Sequence, residues 1–152
     1  MIRRYQPGDH VAIGRIFHEA VHQLASHDYT QEQCRAWSDG NIDFRLWQQR
    51  CGRKRPFVKE HEGQVVGFME LDPDGHIDCT YVDPAHARRG YMSQVMEGVK
   101  NEAHAKGIEK LFAEVSITAR PFFERHGFRH IRNNEVHVRG ETLVNFIMEC
   151  YL

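Results

Sequence analysis

The hydrophobic period of this chain changes at Pro56, and that change restricts the folds open to it. Ahead of it, Ile2 to Gln6 reads as a short strand closed by Pro7-Gly8. Val11, Ile13, Ile16, Phe17, Ala20, Val21 and Leu24 then recur at helical spacing, which predicts a helix from the N-cap Asp9 to about Ala25. After a polar break at Ser26 to Tyr29, Thr30 and Gln33 have capping-box spacing and open a helix through Trp37. A third helix is predicted over Asp43 to Arg50. From Pro56 onward, strands are predicted over Pro56–Lys59, Gln64–Leu71 and His76–Val82, separated by turns at Glu62-Gly63 and Asp72 to Gly75. Gly90 precedes a long helix ending near Gly107. A strand over Leu111–Val115, a helix over Thr118–His126 and a hairpin about Arg139-Gly140-Glu141 complete the chain. This order is a mixed α/β domain of the α+β type, with a largely antiparallel sheet of about seven strands flanked by helices.

At 152 residues, 41% hydrophobic and 27% charged, one domain with a packed core and a solvated surface is expected. The net charge of −1 gives no argument for a nucleic-acid partner, and Arg53-Lys54-Arg55 reads as a solvated loop. No apolar run is long enough to span a bilayer and no secretory apolar segment opens the chain, so a cytoplasmic protein without a membrane partner is expected. Cys34, Cys51, Cys79 and Cys150 form no CxxC pair and read as reduced thiols. His18 and His22 stand four apart on a helix, but no third ligand accompanies them and no metal is expected.

The chemistry concentrates where a strand ends at Asp83-Pro84, a basic loop follows and a helix begins. A helix N-terminus offers unpaired N–H groups and partial positive charge. Ala87-Arg88-Arg89-Gly90-Tyr91-Met92 aims such donors outward, with two arginines beside them and a glycine that permits close approach of a phosphate.

Tyr81-Val82-Asp83-Pro84 followed by Arg88-Arg89-Gly90-Tyr91-Met92-Ser93 resembles the acetyl-CoA loop of the GNAT superfamily of N-acetyltransferases. Ala119-Arg120-Pro121-Phe122-Phe123-Glu124-Arg125-His126-Gly127-Phe128 resembles that superfamily's second signature, and the order of elements agrees over essentially the whole chain. The helices bearing Tyr29, Gln33, Ala36 and Trp37 resemble a bacterial subgroup of uncharacterised small-molecule acetyltransferases. The resemblance implies a single acetyltransferase domain over residues 1–152, with acetyl-CoA as co-substrate, bound by the main-chain amides of Arg88, Arg89, Gly90, Tyr91, Met92 and Ser93. Ala87 and Met92 depart from the superfamily's loop pattern, and Met92 places bulk near the phosphates. The resemblance also implies a splay between strands 4 and 5 that admits the pantetheine arm, with Tyr81 and Val82 beside the thioester. Ser116 stands where many relatives carry an Asn that contacts the arm, and Phe123, expected beside the cofactor, where many carry a proton-donating Tyr.

With Phe123 unable to donate, His126 is the expected acid. Asp78 is the first candidate for the base, ahead of Glu70 and Glu114, through a pKa raised by half-burial. Cys79 lacks a His–Cys arrangement, so direct transfer in a ternary complex is expected rather than an acyl-enzyme. The acceptor is expected to be the primary amine of a small molecule, held by His22, Tyr29 and Trp37, with Phe17 nearby. A peptide acceptor and a catalytically weak acetyl-CoA-binding sensor are the competing readings, and a monomer or homodimer is expected.

Overall fold

The computed structural model describes the whole chain, Met1 to Leu152. Its strands are β1 (Ile2–Arg4), β2 (Phe57–His61), β3 (Gln64–Leu71), β4 (His76–Val82), β5 (Lys110–Ser116), β6 (Arg129–Val138) and β7 (Glu141–Tyr151). Its helices are α1 (Asp9–Gln23), α2 (Gln31–Trp37), α3 (Phe44–Lys54), α4 (Tyr91–Ala105) and α5 (Arg120–Arg125). One seven-stranded sheet has the order β1-β2-β3-β4-β5-β7-β6, and only β4 and β5 run parallel. The predicted fold class and sequence of elements hold.

The alternation of each strand divides the core into two sides. On one, Met69, Ile77, Leu111, Ala113 and Val115 meet Val95, Met96 and Val99 of α4 and Phe123 of α5. On the other, Val58 and Phe68 meet Ile13 and Ile16 of α1 and Cys51 of α3. A third cluster ties Val21 and Ala25 to Tyr29, Cys34 and Leu143.

Two local expectations are corrected. The residue at the N-cap of α1 is Gly8, in the left-handed region at φ 102°, rather than Asp9. Asp9 opens the helix, accepts the Gln6 N–H at 2.8 Å and pairs with Arg3 at 2.7 Å. The Arg53-Lys54-Arg55 run is the last turn and C-cap of α3 rather than a loop. Burying one face of that turn against β4 brings Lys54 to Asp72 at 2.8 Å and Asp78 at 3.1 Å. The Thr30–Gln33 capping box forms as expected, with reciprocal bonds of 3.1 and 2.8 Å.

Two irregularities of β4 position the site. First, β4 pairs with β5 only at His76↔Phe112 and Ile77↔Ala113, and beyond these the strands diverge. This is the splay between strands 4 and 5. Second, the β3–β4 register passes from Met69↔Thr80 to Leu71↔Ile77, so Asp78 and Cys79 together oppose Glu70. That is a β-bulge, which bends the strand at the point where it leaves β5.

Candidate active site

Arg88 at φ 62° and Gly90 at φ 79° turn the chain sharply into α4. Ala87 N–H is the last amide before the helix to find a backbone acceptor, Pro84 O at 3.4 Å, and Gln94 N–H is the next, bonding Gly90 O at 3.3 Å. The six amides from Arg88 to Ser93 donate to no protein acceptor, and no side chain caps the helix. Six free donors on one exposed turn form an anion cradle made of main chain. The bulk of Met92 does not enter it. A Cβ placed on Gly67 would lie 2.6 Å from Met92 Sδ, so Gly67 supplies the recess that draws this side chain inward. Tyr91 also turns inward, its hydroxyl 3.3 Å from His61 Nδ1 and its ring under the Lys59 ammonium at 5.0 Å.

The cradle opens onto the splay. Asp83 N–H donates to Val66 O at 2.8 Å, so the alternation of an antiparallel ladder turns the main-chain groups of Tyr81 toward β3. Those of Val82 and Thr80 therefore face the gap. Their N–H and C=O groups are available to an extended arm lying where a further strand would pair.

The expected residues on this side occupy varied positions. Ser116 Oγ accepts the Ala119 N–H at 3.0 Å and so closes the turn into α5. Phe123, expected at the cofactor, is 3% exposed and packs edge-on against Phe128 at 5.0 Å, inside the core. His126, the expected acid, sits at the C-cap of α5 with Nε2 2.9 Å from Ser93 Oγ. It therefore braces the first turn of α4, away from the point where β4 and β5 meet. Burial, and then the charge of Lys100, hold His126 below the usual imidazole value. A neutral imidazole accepts from a hydroxyl well and serves poorly as an acid.

The opposite face of β4 is built from side chains. A cleft of about 360 Å³ is lined by Phe17 of α1, Trp37 at the end of α2, Trp47, Arg50 and Arg53 of α3, and Arg139 of the β6–β7 turn. Tyr81 is packed behind it, its ring 4.9 Å from Phe17 and 6.3 Å from Trp37. Burial pushes the Tyr81 phenol well up, so it stays protonated. Of the three expected acceptor residues, Trp37 lines the cleft. Tyr29 is 7% exposed; its hydroxyl donates to Val144 O at 2.6 Å and accepts the Ile117 N–H at 3.0 Å. It is a strut joining β7 to the end of β5, with no polar capacity left for a ligand. His22 Nε2 lies 2.7 Å from Ser38 O and His18 Nδ1 2.6 Å from Ser38 Oγ. These rings, 4.4 Å apart, anchor the chain between α2 and α3 and do not face the cleft.

An ionic network forms the base of this side. Glu70, 0% exposed, accepts Arg50 Nε at 2.9 Å and Nη2 at 2.6 Å. It also accepts the Cys79 N–H at 3.1 Å. Arg50 Nη2 reaches Asp78 at 3.0 Å as well. The expected raised pKa of Asp78 is not found. Burial alone raises this carboxyl, but the Lys54 hydrogen bond and the charges of Arg50, Lys54 and His76 outweigh it, and the group lies below the usual value. His76 binds Glu114 at 2.6 Å and Asp72 at 3.2 Å, a bridge across the apex of the splay. Burial opposes its protonation, yet the hydrogen bond and charge of Glu114, the hydrogen bond of Asp72 and the charge of Asp78 prevail and raise it. Asp72, His76 and Asp78 bring donor atoms within 4.8 Å of one another, but the Lys54 ammonium already bridges the two aspartates. Cys79, held well up by burial, remains a thiol.

Sequence reasoning missed Arg50, Lys54 and His76. The partners of Arg50 and Lys54, and Glu114 for His76, lie 18 to 38 residues away, so no local spacing announces them; only the His76–Asp72 contact is local.

The model of the acetyltransferase (GNAT) domain matches residues 25–150. The chain is 36% identical over 148 residues to the uncharacterized N-acetyltransferase YafP of Escherichia coli (strain K12), covering 97% of this chain and 93% of that protein. Its fold superposes at TM-score 0.93 and 30% identity on a GCN5-related N-acetyltransferase from Rhodopseudomonas palustris, covering 100% of this chain and 95% of that one. It superposes at TM-score 0.81 and 15% identity on the PaiA N-acetyltransferase of Thermoplasma acidophilum in complex with coenzyme A, covering 100% and 98%, a likeness of fold. No helix is long and apolar enough to cross a membrane.

Proposed function

This chain belongs to the GNAT acetyltransferase family, an acetyl-transferring enzyme on an acetyl-CoA-binding fold, and we propose that it passes the acetyl group directly to a primary amine of a small molecule. The observation that carries this reading is the convergence of two unlike sites on β4. The free amides of Arg88 to Ser93 open onto the gap at one edge of the strand, and the aromatic cleft reaches its bulge through Arg50. An open cleft of about 360 Å³ has room for a small molecule.

In this reading the pyrophosphate lies on the amides of Arg88 to Ser93, with Arg88 and Arg89 adding charge. The pantetheine arm pairs with the main chain of Thr80 and Val82, which brings the thioester to the bulge. The amine enters past Trp37 and Phe17 and attacks the thioester carbon. The carbon–sulfur bond then breaks, and the thiolate takes a proton from solvent. A thiol with an ordinary pKa of about 8.5 leaves without a dedicated acid, so Phe123 in place of a tyrosine is tolerable. Asp78, held below the usual value, stays a carboxylate and attracts the ammonium; the amine loses one proton to water before it attacks and the nitrogen releases a second to water as the amide forms. Alignment of amine and thioester supplies most of the acceleration, up to about 7–11 kcal/mol. His126 supports Ser93 and the phosphate cradle.

The test is thiol release from acetyl-CoA across a panel of small amines and Lys-containing peptides. Turnover with small amines is expected. Turnover confined to peptides would overturn the acceptor class, and tight acetyl-CoA binding without turnover would favour a sensor.

A further inference from the structure

We propose that Glu70 and Arg50 are a positioning pair for acyl transfer: Glu70 holds the β4 bulge in shape, and Arg50 ties that bulge to the acceptor cleft. The inference rests on the acetyl-transfer reading above. It begins with an expensive feature. A carboxylate at 0% exposure loses its hydration entirely, and well-packed apolar residues commonly replace such ion pairs at no loss of stability. Stability alone therefore does not explain this pair, and the placement of its bonds does.

Glu70 stands opposite Asp78 and Cys79, the two residues of the bulge. A bulge frees a main-chain donor from the ladder. Here that donor is the Cys79 N–H, and Glu70 Oε1 accepts it at 3.1 Å. Arg50 neutralises the same carboxylate through two bonds, of 2.9 and 2.6 Å, in the fork geometry that fixes both groups. The same Nη2 also reaches Asp78 Oδ2 at 3.0 Å and Cys79 Sγ at 3.4 Å. Arg50 thus touches every side chain of the bulge, while 30% of its own side chain remains exposed on the cleft wall. No other cleft residue bonds to the bulge. The bulge in turn sits immediately past the last β4–β5 pair, Ile77↔Ala113, so its shape directs the strand that lines the splay. A misplacement of about 1 Å between reacting groups lowers rates on the order of a hundredfold. The pair acts through Cys79 and Asp78, by setting where the strand presents the thioester to the amine.

The double variant Arg50→Met/Glu70→Met removes the pair without stranding a charge. It leaves the Cys79 N–H without its acceptor, so it should fold with Tm lowered by about 5 °C and bind coenzyme A within about twofold. At saturating acetyl-CoA and amine, its kcat should fall on the order of a hundredfold. Hydrogen exchange at the Cys79 amide should quicken by about tenfold once its acceptor is gone. Arg50→Lys keeps the charge but not the fork and should lose about tenfold in kcat with Cys79 exchange nearly unchanged. A double variant with wild-type kcat would overturn the proposal, as would unchanged exchange at Cys79. Wild-type protein that releases no thiol with any amine would instead defeat the transfer reading, and the exchange measurement would still decide whether Glu70 holds the bulge.

Discussion

The two sides of β4 meet different demands with different materials. At the proposed phosphate cradle the free groups are main-chain amides, and the side chains of Tyr91, Met92 and Ser93 turn away to hold the turn in place. At the proposed acceptor cleft the lining is aromatic and charged side chains from α1, α2, α3 and the β6–β7 turn. A main-chain site tolerates substitution, because any residue with the right φ presents an N–H. That explains how Ala87 and Met92 coexist with an intact cradle. A side-chain site is defined by its particular residues, so in the proposed reading this cleft would set the identity of the acceptor.

This contrast predicts unequal costs. Arg50→Met alone leaves the buried Glu70 carboxylate unpaired and should cost about 3–5 kcal/mol of stability, read from urea denaturation. A loss under about 1 kcal/mol would mean that solvent reaches Glu70. Tyr29→Phe orphans Val144 O and Ile117 N–H and should cost about 1–3 kcal/mol. It should leave the amine KM unchanged, and a raised KM would return Tyr29 to the acceptor site. Gly90→Val forces a β-branched side chain into the left-handed region. The strain of about 1–2 kcal/mol should weaken acetyl-CoA binding by roughly tenfold in a calorimetric titration, with kcat at saturation retained. Equal binding would show that the loop does not need this φ.

The smallest effects are in pH dependence, and their signs oppose. The folded-state pKa of His76 is raised, so its contribution is fully present below about 6.5 and lost as pH rises through the folded value. His76→Gln should therefore be most damaging near pH 5.5 and progressively less so toward pH 9. The folded-state pKa of His126 is lowered, so stability falls as pH drops from about 6.5 through the folded value. His126→Gln should lose less stability than the wild type on acidification. Chemical denaturation across that pH range checks both, and equal slopes for the two variants would remove the distinction between the two sides.

The same contrast sets how much was legible in the sequence. Strand–turn–helix order, Gly90 and the Thr30–Gln33 box are local patterns, so the uncapped turn at the start of α4 and most elements were readable. The divergence of β4 from β5 followed from resemblance to the family. The acceptor side was not readable, because Arg50 finds Glu70 and Asp78 at separations of 20 and 28 residues. Tyr29 looked like a ligand-binding aromatic; only packing shows that both polar capacities of its hydroxyl are used. Asp78 looked like a raised carboxylate because its strand is half-buried, and the cations that lower it come from α3.

Direct transfer between the two sites is tested most simply by initial rates with acetyl-CoA and amine varied together. A ternary complex predicts double-reciprocal lines that intersect, with coenzyme A competing against acetyl-CoA. Parallel lines, with acetyl groups retained on the protein in the absence of amine, would contradict it.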